Sequence, residues 1–227
     1  MFDAIFIDAD NTLFDFDRTQ EKALADSCTQ FDLPLSEDVL TLYEGINRAC
    51  WADYHAGLIR NDEINLRRWS QWLIAIGENS RVSAQALADH YAQSLALQCE
   101  LEDGADDLMQ YLAAKLPVHV ITNGFPSSQQ HRWRKAGWDG LLHGITVSAV
   151  VGVQKPEADI FHIAMAAVGV TDPGRCLMIG DTLEADVRGP QNVGMKGCWY
   201  QRKGAENNTD VLPDYVVTQL SDIKGLV

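Results

Sequence analysis

Three rhythms of apolar residues divide the chain. Ala4 to Ile7 is an unbroken apolar run of strand length, and it stops at Asp8. Such a run fits a strand buried on both faces of a parallel sheet. From Asp17 to about Leu97 the spacing turns helical. Val39, Tyr43, Ile46 and Cys50 share one predicted helical face, as do Trp69, Trp72, Leu73 and Ile76, and Leu87, Tyr91 and Leu95. Breaks near Leu33-Pro34, Gly57 to Asn61 and Gly77 to Arg81 divide this stretch into about four helices. Asp17 with Gln20 resembles a capping pair at its entry. From Asp103 onward, short apolar runs alternate with helical segments. Strands are expected at Val118 to Thr122, Ile145 to Ser148, Cys176 to Ile179, Lys196 to Tyr200 and Tyr215 to Val217. Helices are expected near Ala105 to Lys115, Ser127 to Ala136, Glu157 to Val168 and Leu183 to Asn192. This alternation predicts an α/β fold, a parallel sheet with right-handed crossovers. A helical bundle is inserted after its first strand, so the expected core takes residues 1–15 and 99–227 and the insertion residues 16–98.

Composition narrows the function. The 227 residues are 46% hydrophobic and 22% charged, as in an ordinary globular protein. With a formal net charge of -14, a basic surface for a phosphate backbone is not expected, nor are nucleic-acid polymers as partners. A small anionic substrate requires the site to supply its own positive charge. Cys28, Cys50, Cys99, Cys176 and Cys198 are scattered singly with no C-x-x-C pair. Free thiols in a reducing compartment are expected. The N-terminus is acidic and its apolar run too short for a signal peptide. No apolar run approaches the roughly 20 residues that span a bilayer. The expectation is a cytoplasmic protein with no membrane partner.

Candidate chemistry gathers at strand ends. Apolar runs close on Asp8 and Asp10, on Thr122-Asn123-Gly124, on Lys155 and on Gly180-Asp181. In an open parallel sheet, the C-terminal strand edge is where ligands bind, so the topology would collect these residues. Asp8, Asp10, Asp181 and Asp186 would place up to four carboxylates near one point. An all-oxygen set favours a hard cation such as Mg²⁺ over zinc. Thr122 offers a hydroxyl, Asn123 and Gly124 offer backbone N–H groups at a strand-to-helix turn, and Lys155 offers a cation suited to phosphate. Taken singly, each has a plainer reading. Asp8 and Asp10 read as a solvated turn, Thr122 as a locally bonded hydroxyl, Lys155 as a loop lysine, and Asp181 and Asp186 as helix-capping acids. Trp69 and Trp72 read as helical core, and Arg67 and Arg68 as a solvated helix face.

Taken together, Asp8-Ala-Asp10-Asn-Thr12, Ile121-Thr122-Asn123-Gly124, Lys155-Pro156 and Gly180-Asp181-Thr-Leu-Glu-Ala-Asp186 resemble the four ordered motifs of the haloacid dehalogenase-like hydrolase superfamily. The insertion is similar to that family's helical cap, and the resemblance implies a Rossmann-like core. Asp-Ala-Asp-Asn-Thr-Leu-Phe, Ile-Thr-Asn-Gly-Phe125 and Cys-Trp-Tyr resemble the house-cleaning pyrimidine 5′-nucleotidases within it. The resemblance implies a Mg²⁺-dependent phosphomonoesterase acting on a small phosphorylated metabolite, a nucleoside 5′-monophosphate first among them. Asp8 would attack phosphorus, and Asp10 would serve as acid and base. Asp8, the Asp10 backbone carbonyl and Asp181 would hold Mg²⁺. Thr122 and Lys155 would grip phosphoryl oxygens, and Asp186 would act on the ion indirectly. Alternatives are a phosphoglycolate or sugar-phosphate phosphatase, a 2-haloacid dehalogenase and a non-catalytic binding protein.

Overall fold

β1, Ala4–Ile7, stands at the middle of the sheet, with all four residues buried. The structure, a computed structural model, describes residues 2–124 and 126–227, leaving aside the side chains of residues 55, 61 and 127–130. Phe125, which closes the Ile-Thr-Asn-Gly-Phe stretch, lies outside the described residues. The remaining strands are β2 Val118–Thr122, β3 Gly144–Val147, β4 Cys176–Gly180, β5 Lys196–Tyr200 and β6 Tyr215–Val217. Among the described residues they form one six-stranded sheet, ordered β3-β2-β1-β4-β5-β6. Every pairing in it is parallel. Strand order reverses beside β1, the switch point where α/β sheets open a crevice at their C-terminal edge.

The pleat explains the unbroken apolar run. Ile5 and Ile7 join a core with Leu108, Leu112, Trp133 and Trp138 on one face. Ala4 and Phe6 join Ile160, Phe161, Met165 and Met178 on the other. Neither face of β1 meets water, so neither tolerates a polar residue until the strand ends. α5 Ala105–Ala113, α6 Pro126–Lys135, the short α7 Ser148–Val151 and α8 Ala158–Val168 supply the crossovers.

By contacts the chain divides into two compact units, Met1–Asp17 with Cys99–Val227, and Arg18–Gln98. The helical stretch is built from α1 Phe16–Phe31, α2 Glu37–His55, α3 Asn61–Ala75 and α4 Ala84–Leu97. Tyr43, Trp69, Trp72 and Tyr91 pack as its aromatic core, and the Tyr43 and Trp69 rings stack with centroids 5.2 Å apart. Arg68 departs from the expected solvated face. It is 2% exposed, lies over the rings of Trp69 and Tyr91, and donates to Asn47 and Asn65. Stacking on aromatic faces lets a guanidinium enter a core that would reject an ammonium.

Two local expectations also change. The cap of α1 comes from Asn11, whose Oδ1 accepts from the Phe16 and Asp17 N–H groups. Asn11 reaches them because its backbone is left-handed, a region asparagine tolerates. The expected helix from Leu183 to Asn192 is instead a π-helical turn, Leu183–Arg188, followed by α9, Gly189–Asn192. Such widened turns are frequent at functional sites.

Candidate functional site

Two adjacent strands bring three carboxylates together. The Asp8 N–H donates to the Ile179 carbonyl at 2.9 Å, carrying the ladder one step past β1. That sets Asp8 beside the end of β4, where Asp181 follows. Asp186 arrives from the π-helical turn, with its Oδ2 accepting from the Thr182 N–H at 3.1 Å. Asp8, Asp181 and Asp186 each offer an oxygen within 4.8 Å of the other two. Gly180 makes the approach possible, because a Cβ there would overlap the Asp186 carboxyl.

Lys155 joins the cluster from the loop between α7 and α8. Its Nζ donates to Asp8 Oδ1 at 2.5 Å and to Asp186 Oδ1 at 2.6 Å. Lys155, Asp8 and Asp186 are all buried. Burial works to lower the Lys155 ammonium, but Asp186 and Asp8 overcome it and hold the group above its usual range. Burial pushes the Asp8 carboxyl up, with Asp186 and Asp10 adding to it and Lys155 opposing. Burial, then Asp8 and Asp186, drive Asp181 well above the ordinary carboxylate range.

With all three carboxylates ionised, one ammonium would leave an excess of negative charge. Two unit charges about 4 Å apart repel by roughly 4 kcal/mol at an effective dielectric near 20. The candidate ligand atoms are carboxylate oxygens alone, a donor set that fits a hard divalent cation such as Mg²⁺.

The Asp10 side chain is not part of this cluster, so three of the up to four expected carboxylates converge. Its Oδ1 accepts from Arg132 Nη2 at 2.6 Å instead. A buried guanidinium on α6 outcompetes a site already crowded with negative charge. The loop after β2 is also more tightly used than expected. Asn123 works through its side chain: Nδ2 donates to the Lys155 carbonyl at 3.0 Å, and Oδ1 accepts from the Lys155 N–H at 3.0 Å. This reciprocal pair fixes the backbone that presents Lys155. The Gly124 N–H donates to Thr122 Oγ1 at 3.0 Å.

Four further residues shape the site. Gly180 and Trp199 lay inside stretches already quoted but without a role of their own, and Arg132 and Arg202 were not singled out by sequence reasoning. Trp199 Nε1 donates to the Asp181 carbonyl at 2.8 Å, steadying the turn that carries that carboxylate. Arg202 binds Asp15, Asp17 and Glu102 at once. Arg132 and Arg202 each contact partners more than a hundred positions away in sequence, which spacing does not reveal.

Comparison with known proteins identifies the family. Residues 2–194 match the model of the haloacid dehalogenase-like hydrolases. The chain is 30% identical to the pyrimidine 5′-nucleotidase YjjG of Escherichia coli, covering 100% of this chain and 98% of the relative. It is 28% identical to the pyrimidine 5′-nucleotidase PynA of Streptococcus pneumoniae, covering 96% and 92%. The crystal structure of the HAD-hydrolase YfnB from Bacillus subtilis, bound to magnesium, superposes with a TM-score of 0.91 at 28% identity, covering 99% and 98%. The ordered motifs, the doubly covered parallel sheet and these matches lead to one assignment: the chain belongs to the haloacid dehalogenase-like hydrolases.

Proposed function

We propose that this protein is a Mg²⁺-dependent phosphomonoesterase acting on a small phosphorylated metabolite, a pyrimidine nucleoside 5′-monophosphate, through an aspartyl-phosphate on Asp8. The observation that carries this reading is the meeting of Asp8, Asp181 and Asp186 around Lys155 at one sheet edge. The choice of substrate is supported by the two pyrimidine 5′-nucleotidases among the relatives. In this reading residues 1–15 and 99–227 are the catalytic unit and residues 16–98 the cap that selects the leaving group.

Asp8, the Asp10 backbone carbonyl and Asp181 would hold Mg²⁺, with Asp186 acting indirectly. The ion would lend positive charge to the phosphoryl oxygens. The chain's own groups do the rest. An Asp8 carboxylate oxygen bonds to phosphorus as the ester P–O bond breaks. Asp10 gives a proton to the departing alkoxide, then takes one from the water that attacks the aspartyl-phosphate. Thr122 and the Lys155 ammonium bind phosphoryl oxygens, and the Asn123 clamp keeps Lys155 in place. An alkoxide needs that proton and a halide does not, so a carboxylic acid at position 10 suits an ester better than a carbon–halogen bond.

The test is phosphate release from pyrimidine and purine nucleoside 5′-monophosphates, sugar phosphates and phosphoglycolate. The expected result is fastest turnover of pyrimidine nucleotides with Mg²⁺, abolished by EDTA and by Asp8→Asn. Preference for a sugar phosphate or phosphoglycolate would reassign the substrate. Turnover surviving both chelation and Asp8→Asn would overturn the mechanism.

A further inference from the structure

α6 follows the Thr122-Asn123-Gly124 loop in the chain, and its one described side chain with no exposure and a full charge is Arg132. We propose that Arg132 is a positioning residue for Asp10, holding its carboxylate at the angle from which it meets the leaving-group oxygen. The inference rests on the role of Asp10 given above.

Three observations carry it. First, the contact is specific. Nη2 donates to Asp10 Oδ1 at 2.6 Å, while the Asp10 side chain keeps 23% of its exposure. Oδ1 is tethered while the side chain stays partly exposed.

Second, the guanidinium is itself held. Its centre lies 4.6 Å from the Phe14 ring centroid and 6.0 Å from that of Phe16. Phe14 is bridged to Asp10 on one side and to Leu101 on the other. The loop that carries the acid thus also carries the ring that orients its partner. A planar cation lying over a fixed ring transmits that ring's position to the carboxylate, which a flexible ammonium would not do.

Third, packing alone does not account for an arginine here. Its Nε and Nη1 are buried without a hydrogen-bond partner among the described residues. Idle buried donors cost stability, and an apolar side chain of similar volume would avoid the cost. The bond to Asp10 is what an apolar residue could not supply. Proton transfer depends on such placement, since an acid must lie within hydrogen-bond reach of the atom it serves.

The test uses a series of phosphate esters with Mg²⁺, from 2,4-dinitrophenyl through phenyl phosphate to a nucleoside 5′-monophosphate. A good leaving group departs without a proton, and a poor one does not. kcat/KM reports the step in which the leaving group departs, so its dependence on leaving group reads out the acid. Arg132→Met should lower kcat/KM for the nucleotide by about 10²-fold and for the dinitrophenyl ester by less than about fivefold. The same steepening should appear in Asp10→Asn. Arg132→Lys, which keeps the charge and loses the plane, should fall between wild type and Arg132→Met. It also serves as the test variant should Arg132→Met not fold. Equal losses across the series in the Arg132 variants, or no loss, would overturn the proposal. An Asp10→Asn variant with no steepening would instead overturn the role of Asp10 on which the proposal stands.

Discussion

His119 and Lys155 show how burial gives a residue its meaning. A lysine preceding a proline is ordinarily a solvated loop residue, and in sequence only its company distinguishes Lys155. In the fold it is 3% exposed and shared by two carboxylates. His119 sits on β2 with Nε2 and Thr146 Oγ1 2.8 Å apart and its ring 5.9 Å from that of Phe6. Burial, helped by His143, pushes it down to about 4 from an ordinary 6.5. Folded protein therefore holds it neutral over a range where unfolded chain protonates it. Between pH 6.5 and about 4 the unfolded state binds the extra proton, and stability falls as pH falls. The whole interval is worth on the order of 3 kcal/mol. The raised carboxyls of Asp8 and Asp181 work with opposite sign, losing stability as pH rises. The effect of His119 is therefore read as a difference. Denaturant unfolding of wild type and His119→Leu from pH 7 to 4 should show the steeper loss in wild type. Parallel profiles would remove His119 as the source.

At the scale of elements, strand ends were legible and turn geometry was not. β1 and β2 were readable because a parallel strand buried on both faces admits no polar residue until it stops. The acids and Thr122 therefore mark the stopping points. The helical insertion was readable from spacing and its breaks. The π-helical turn after β4 was not, because Leu183 to Arg188 has ordinary helical composition and one extra residue per turn leaves no trace in periodicity. Arg132 was equally hidden, since spacing places it on a helix and says nothing of a carboxylate from another loop. Gly180 is the element-level feature most open to experiment. Gly180→Ala should push Asp186 off Lys155, lowering activity by roughly 10²-fold. It should also cost about 1–3 kcal/mol in unfolding free energy. Gly140→Ala, where a Cβ meets open space, should change neither. Unaltered turnover in Gly180→Ala would show that Asp186 need not stay where it stands.

Over the whole molecule, acidity and topology bear on different questions. The net charge of -14 speaks only to partners at the surface, while at the sheet edge one buried lysine is shared by two of three clustered acids. Among the described residues no helix is long and apolar enough to cross a membrane. Where the helical stretch leaves and rejoins the sheet, the two crossings run side by side. The Asp15 N–H donates to the Glu100 carbonyl at 2.9 Å, and the Glu102 N–H to the Leu13 carbonyl at 3.0 Å. Arg202 ties Asp15 and Asp17 of the outgoing crossing to Glu102 of the returning one. Loop closure is therefore settled at the root of the branch and depends little on what hangs from it. Removing residues 18–98 and joining Asp17 to Cys99 through a few glycines and serines should leave a shortened chain that melts in one cooperative transition. The same deletion carrying Arg202→Leu should melt earlier or fail to fold. The graft point is thus ready-made: a different bundle of helices could be spliced in at that guanidinium, and the acids at the sheet edge would keep their places.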